Sequence, residues 1–233
     1  MSTPNIALFG GTFDPIHCGH LIVARCVLER LSLDGVTFIP SANPPHKGRA
    51  GLSDVAHRLA MVELAIDEPR PLVGAEPGFA CDDCETRRTG PSYTLETVMH
   101  FRERLGPEAT IHWIIGADSL AELESWHRVA ELVDACNIVT VNRPGTSVGT
   151  SVGTSAGTSA GDQRPDLSTF GRVLGEHHVA KLEHGILQTP HIDISATDIR
   201  RRVAAAQSIR YLVPEPVRQY IEDHQLYRGA SVT

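Results

Sequence analysis

The chain has 233 residues, of which 41% are hydrophobic and 21% charged, and a formal net charge of −7. A chain of that length and composition buries one sizeable core, the ordinary pattern of a globular domain. The acidic balance argues against a broad nucleic-acid or anionic-membrane surface but leaves room for a local basic pocket, and no apolar run reaches the roughly 18 residues of a membrane span.

The opening MSTPNIALFGG has neither a basic segment nor a long apolar stretch, so no signal peptide is expected. Without one, the five cysteines at 18, 26, 81, 84 and 136 read as reduced thiols of a cytoplasmic protein. Residues 6–9, IALF, predict a buried strand stopped by Gly10 and Gly11. From Gly19 to Leu31, apolar residues at 21, 24, 27, 28 and 31 have helical spacing, and Val36 to Ile39 predicts a strand closed by Pro40. A strand–turn–helix–strand opening implies a parallel sheet with a right-handed crossover. Ser53 is the expected cap of a helix to about Ile66, with Leu59, Val62 and Ile66 on one face. Residues 94–105 read as a helix stopped at Gly106, and 111–116, IHWIIG, as a buried strand. A helical stretch from Asp118 to about Val133, broken near Trp126, leads to a strand at 137–141. A helix to about Gly175 and strands around 179–182 and 191–194 follow. Helices from Ser195 and from about Pro214 to Asp223 complete the chain. The alternation predicts an α/β fold with a doubly wound parallel sheet, in which ligands sit beyond the carboxyl ends of the strands.

Residues 145–160 depart from this pattern: they read GTSV-GTSV-GTSA-GTSA. Such a repeat cannot pack a core and reads as a flexible insert spanning about 145–165, with a lid over a ligand as the functional alternative. The expected organisation is one domain over 1–228 carrying this insert, with 229–233 a disordered tail.

Chemistry concentrates in two stretches. In GGTFDPIHCGH, residues 10–20, His17 and His20 lie three apart after a glycine turn. A zinc site needs a third ligand, and a pair of core histidines is the bland alternative. A glycine turn feeding a helix N-terminus is also a ready anion site, where histidines donate to phosphate oxygens. In ISATDIRRR, residues 194–202, Ser195 caps a helix with Asp198 in the capping-box position. A well-capped helix explains that pattern alone. The hydroxyls of Ser195 and Thr197, with Arg200 one turn in, also suit a triphosphate tail.

HCGH followed by ISATDIR resembles the HxGH and ISSTxxR signatures of the nucleotidyltransferase superfamily, and the chain is similar to the bacterial nicotinate-nucleotide adenylyltransferases. The similarity runs in order through PPHK (44–47), HRLAMVELA (57–65), GPSYTLET (90–97), WIIGADSL (113–120), SWHR (125–128), NRPG (142–145) and LVPEPVRQYIEDHQLY (212–227). The resemblance implies a Rossmann-like nucleotidyltransferase fold. It implies transfer of AMP from ATP to nicotinate mononucleotide, giving nicotinate adenine dinucleotide and pyrophosphate in NAD biosynthesis. It also implies Mg2+ bound through the ATP phosphates, with no metal held by protein alone.

By the same resemblance His17, His20 and Arg200 are catalytic. Gly10, Gly11, Thr12, Phe13, Gly116, Asp118, Ser195 and Thr197 bind ATP, with Asp118 on the ribose. Lys47, Ser92, Tyr93, Thr94, Trp126 and Arg143 bind the mononucleotide, Trp126 by stacking on the pyridine ring. The alternatives for Trp126 and Tyr93 are a core aromatic on a helix and a residue packing a turn. CDDC at 81–84 reads as a strand, with Asp83 and Glu85 before Arg88 in the family pattern; no second C-x-x-C completes a zinc site. The partners implied are small molecules, neither nucleic acid nor membrane, with a homo-oligomer left open. Three rivals stand beside this reading. One is a nicotinamide-preferring or other small-molecule nucleotidyltransferase. The second is a noncatalytic nucleotide-binding regulator. The third is a fragment of a class I aminoacyl-tRNA synthetase, which the short acidic chain disfavours.

Overall fold

The computed structural model of the chain describes residues 3–43, 51–67, 77–142, 167 and 170–229. Six strands form one sheet in the order β3-β2-β1-β4-β5-β6. They are β1 (Asn5–Gly11), β2 (Gly35–Pro40), β3 (Gly78–Cys81), β4 (Thr110–Gly116), β5 (Asn137–Asn142) and β6 (Ile186–Gln188). The β1–β4, β2–β3, β4–β5 and β5–β6 pairs are parallel. With helices between the strands, this is the expected doubly wound α/β fold, in the strand order of dinucleotide-binding sheets. The chain divides into two compact units, one of Met1–Leu8 with Tyr93–His191 and one of Phe9–Ser92 with Ile192–Thr233.

Helix α1 (Cys18–Arg30) buries Gly19, Ala24, Val27 and Leu28, close to the expected stripe. Helix α3 (Thr94–Leu105) has the predicted bounds, because Gly106 takes φ 91° and accepts the left-handed backbone that ends it. Three short segments, α4 (Ala117–Ala121), a 3-10 turn (Leu123–Ser125) and α5 (Val129–Ala135), reproduce the expected break near Trp126. Helix α8 (Ala196–Ala204) is capped by Ser195, whose Oγ accepts from the Asp198 N–H at 3.1 Å. Helix α9 (Glu215–Asp223) begins after Pro214, as predicted.

Six expectations are corrected. Strand β1 continues through both glycines, and the Gly11 carbonyl is still paired, accepting from the Ser41 N–H at 2.8 Å. Helix α2 (Val55–Ile66) is capped by Asp54 and not by Ser53; the Asp54 carboxylate accepts from the Ala56 N–H. Its buried face is Arg58, Met61, Val62 and Ala65, a stripe one position away from the predicted one, because an arginine holds the place expected of an apolar residue. Residues 179–182 belong to a helix, α7 (Glu176–His184), which follows the short α6 (Gly171–Leu174) and buries His178 and Leu182 four apart. The strand on that side of the sheet is β6, which starts after Gly185, and residues 189–195 are irregular. In the CDDC stretch the strand stops at Cys81, and Cys84 lies in a turn, its N–H held by Asp82 Oδ1 at 2.9 Å.

Candidate active site

Gly10 to Phe13, His17, His20, Ser195, Thr197 and Arg200 share the unit of Phe9–Ser92 and Ile192–Thr233. His17 opens α1 from extended backbone, and its N–H donates to His20 Nδ1 at 3.2 Å. That bond makes Nδ1 an acceptor, so the neutral His20 ring carries its proton on Nε2 as a donor. The two rings stack at 3.7 Å, and His20 also meets the Phe13 ring edge-on at 5.1 Å. At Gly19 a Cβ would come within 3.0 Å of His17 Nδ1, so a larger residue there would push on that ring. Gly11 has the same role for Phe13, whose ring would lie 2.9 Å from a Cβ at position 11. Phe13 itself is buried with φ 48°, a conformation that only a firmly held loop imposes on an aromatic residue.

What holds the loop is a buried polar network that the sequence did not reveal. Arg58 is 2% exposed and donates to three carbonyls: Thr12 O at 2.7 Å, Ser41 O at 2.8 Å and Ser53 O at 3.1 Å. Burial pushes the Arg58 guanidinium below its ordinary value, and the Asp14 carboxylate beside it opposes that fall. Asp14, 1% exposed and joined to Pro15 by a cis peptide, accepts from the Ser53 N–H at 3.1 Å and the Tyr227 hydroxyl at 2.6 Å. Its carbonyl accepts from Arg200 Nη1 at 2.7 Å. Arg200 Nη2 also reaches Thr197 Oγ1 at 3.4 Å. The structure thus brings Arg200 and Thr197 of α8 to the loop that carries His17 and His20. One signal in the sequence could have pointed to Arg58: a charged residue in register with Met61, Val62 and Ala65 on an apolar stripe.

In the other unit, Gly116 caps α4 and Asp118 lies exposed in its first turn. A Cβ at 116 would run into Asp118 Oδ1, so the glycine lets that carboxylate lie against the strand end. Tyr93 starts α3, followed by Thr94, and its ring stacks on His127 at 4.2 Å. Trp126 is half-buried and extended between the 3-10 turn and α5, so it is not a core aromatic on a helix. Ser92 falls in the unit of Phe9–Ser92 and Ile192–Thr233, where its Oγ accepts from the Asn43 N–H at 3.1 Å and its own N–H donates to Asn43 O. Lys47, Arg143, the insert at about 145–165 and residues 230–233 lie outside the described residues.

Among the described residues, neither His17 nor His20 belongs to a group of three His, Cys, Asp or Glu donors close enough to share a metal ion. All five cysteines are free thiols. Burial first, and then the acidic groups around them, pushes Cys81 and Cys84 up to about 12, far from the range of a reactive thiolate. No helix among the described residues is long and apolar enough to cross a membrane.

Residues 8–202 match the cytidylyltransferase-like family. A probable nicotinate-nucleotide adenylyltransferase of Thermomicrobium roseum is 38% identical over 224 residues, covering 96% of this chain and 91% of its own length. Its counterpart in Rhodopirellula baltica is 33% identical over 227 residues, covering 97% and 95%. The solved structure of Plasmodium falciparum nicotinic acid mononucleotide adenylyltransferase complexed with NaAD shares the fold, with a TM-score of 0.68 at 17% identity, covering 96% of this chain and 97% of that one. The ordered phosphate-turn motifs, the strand order and these relatives agree: the chain belongs to the nicotinate-nucleotide adenylyltransferases of the cytidylyltransferase-like family.

Proposed function

We propose that the chain is a cytoplasmic enzyme that transfers the adenylyl group of ATP to nicotinate mononucleotide. A phosphate oxygen of the mononucleotide attacks the α-phosphorus, the bond to the β-phosphate oxygen breaks, and pyrophosphate leaves. The product is nicotinate adenine dinucleotide. The observation that carries this reading is the hydrogen bond from Arg200 to the Asp14 carbonyl, which sets a cation of α8 against the histidine loop within one unit.

Such a reaction needs positioning and charge stabilisation more than covalent help. The Nε2–H of His20 serves the α-phosphate, where charge develops in the transition state, and His17 supports it by stacking. Arg200, with Thr197 and Ser195, takes the β- and γ-phosphates, and the backbone from Gly10 to Phe13 lies against the chain of phosphates. Gly116 and Asp118 take the adenosine. Ser92, Tyr93, Thr94, Trp126, Lys47 and Arg143 take the mononucleotide. The donor set around the histidine loop is rich in N–H and hydroxyl groups and guanidinium, which fits phosphate oxygens rather than a hard cation. A divalent cation such as magnesium would then be held through the phosphates and would supply neutralising charge on the leaving pyrophosphate.

The test is a coupled pyrophosphate assay with ATP, magnesium and either nicotinate or nicotinamide mononucleotide. Turnover with the acid, at an efficiency well above the amide, is expected, because donors built for a carboxylate lose their partner on an amide. Equal efficiency would overturn the acid preference. No pyrophosphate with either acceptor would overturn the transfer itself.

A further inference from the structure

We propose that Tyr227 is a positioning residue for the ATP phosphates, tying the C-terminal segment through Asp14 to the loop that anchors Arg200. The inference rests on the adenylyl-transfer reading and deepens it. Three facts carry it. First, Asp14 is a buried hub: Oδ1 accepts from Tyr227, Oδ2 from the Ser53 N–H, and the carbonyl from Arg200. Second, the carboxylate and the carbonyl belong to one residue, so the bonds that tether the Asp14 side chain also restrain its backbone and with it the carbonyl that aims the guanidinium. Third, among the described residues the other hydrogen-bond partner of Arg200 is Thr197 Oγ1 at the long distance of 3.4 Å, so the Asp14 carbonyl sets its direction.

Tyr227 is well placed for this task. It follows α9, after a turn in which the Leu226 N–H donates to Ile221 O at 3.0 Å, and has φ 63°. Burial raises its phenol above the ordinary value, with Asp14 adding to the rise, so the hydroxyl remains a donor at neutral pH. The Cys18 N–H of α1 donates to Leu212 O at 2.9 Å, a second tie from the C-terminal part of the chain to the histidine loop. On the far side, Arg58 fixes Thr12 and Ser53. Without the Tyr227 hydroxyl the loop keeps its clamp on the α2 side, and Asp14 keeps the Ser53 N–H on Oδ2 but loses the donor on Oδ1.

The experiment compares wild type, Tyr227→Phe, Asp14→Asn and the double variant. It uses steady-state kinetics, pyrophosphate inhibition, calorimetric binding of magnesium–ATP and pyrophosphate, and thermal unfolding. Tyr227→Phe is expected to raise the KM for ATP and the inhibition constant of pyrophosphate about tenfold, the fold-change of one hydrogen bond to a charged group. The KM for nicotinate mononucleotide should stay within about twofold. Asp14→Asn should show the same signature, and the double variant should be no worse than Asp14→Asn alone, since both remove one linkage. Unchanged ATP and pyrophosphate constants in a folded Tyr227→Phe chain overturn the proposal. So does a lowered Tm with both substrates affected alike, which marks a structural role only. If Tyr227→Phe does not fold, Asp14→Asn carries the same test, and failure of both to fold also overturns it. A wild type that binds ATP but makes no dinucleotide would remove the transfer reading, while the calorimetric comparison would still decide the role of Tyr227.

Discussion

The two groups of site residues are built differently. Around the histidine loop, polar side chains are sunk into the core: Asp14 is 1% exposed, Arg58 2% and His17 4%. Around the Gly116 strand end, Asp118 is exposed, Tyr93 and Trp126 are half-buried, and the backbone runs through a five-residue helix, a 3-10 turn and a seven-residue helix. Arg128, between the last two, takes a left-handed φ of 52°. On the proposed assignment of the histidine loop to the triphosphate, the ligand presents the same charges in every turnover, so donors fixed in advance cost no reorganisation when the α-phosphorus reacts. A flat ring and a ribose are held by contact area and a few polar groups, and their site can order as they bind.

Three substitutions probe that difference. The largest effect on stability is expected from Arg58→Met, which leaves three carbonyls without their donor and Asp14 without its neighbouring cation. A loss of about 3–5 kcal/mol is expected, read from urea unfolding. A loss below about 1 kcal/mol would mean that the loop does not depend on its buried arginine. Next comes His20→Ala, which should keep a near-native Tm and lower kcat by about 10²–10³, the usual cost of losing one preorganised donor. A folded variant with wild-type turnover would remove His20 from the reaction. Smaller again is Trp126→Ala, expected to raise the KM for nicotinate mononucleotide about fivefold, the scale of one aromatic stacking contact, while leaving the constant for ATP alone. If it costs as much stability as Arg58→Met, the region around Trp126 is as firmly built as the histidine loop and the contrast fails.

Much of this arrangement was legible from the residues. IALF and IHWIIG declare buried strands, Gly106 ends α3 where expected, and the Ser195–Asp198 spacing yields the observed cap. The failures have physical causes. The run VAKL is too short to separate strand from helix by period, and the deciding spacing was the buried pair His178 and Leu182. Ser53 and Asp54 are both good caps, and sequence cannot know that the Ser53 N–H is taken by Asp14. Arginine on a helix reads as a solvated face, which hid Arg58. The Asp14–Tyr227 bond joins residues 213 apart, and no local pattern encodes such a pairing.

The smallest expected effect separates the two regions by pH. His178 lies on α7 with its Nδ1–H on the Leu174 carbonyl and Nε2 at 2.8 Å from Asp134 Oδ1. The carbonyl bond first, and then Asp134, raise the imidazole above its ordinary value, against burial and the Lys181 cation; His178, with His177 and Lys181, lowers Asp134 in turn. A raised histidine contributes stability that is fully present below its unfolded value of about 6.5 and is lost as pH climbs through the folded one. The lowered carboxylate contributes above its unfolded value of about 4 and loses that part in acid. The pair is therefore strongest between about pH 4 and 6.5, and weak in magnitude because Asp134 is exposed. The Tm gap between wild type and His178→Gln should be about 1–2 °C wider at pH 6 than at pH 8. The gaps for Arg58→Met and Tyr227→Phe should be the same at both, since a guanidinium and a phenol with a raised pKa keep their protons throughout. A His178→Gln gap that does not narrow toward pH 8 would show that the imidazole does not change its protonation between pH 6 and 8 and that the α5–α7 seam, like the histidine loop, is held by bonds that do not titrate.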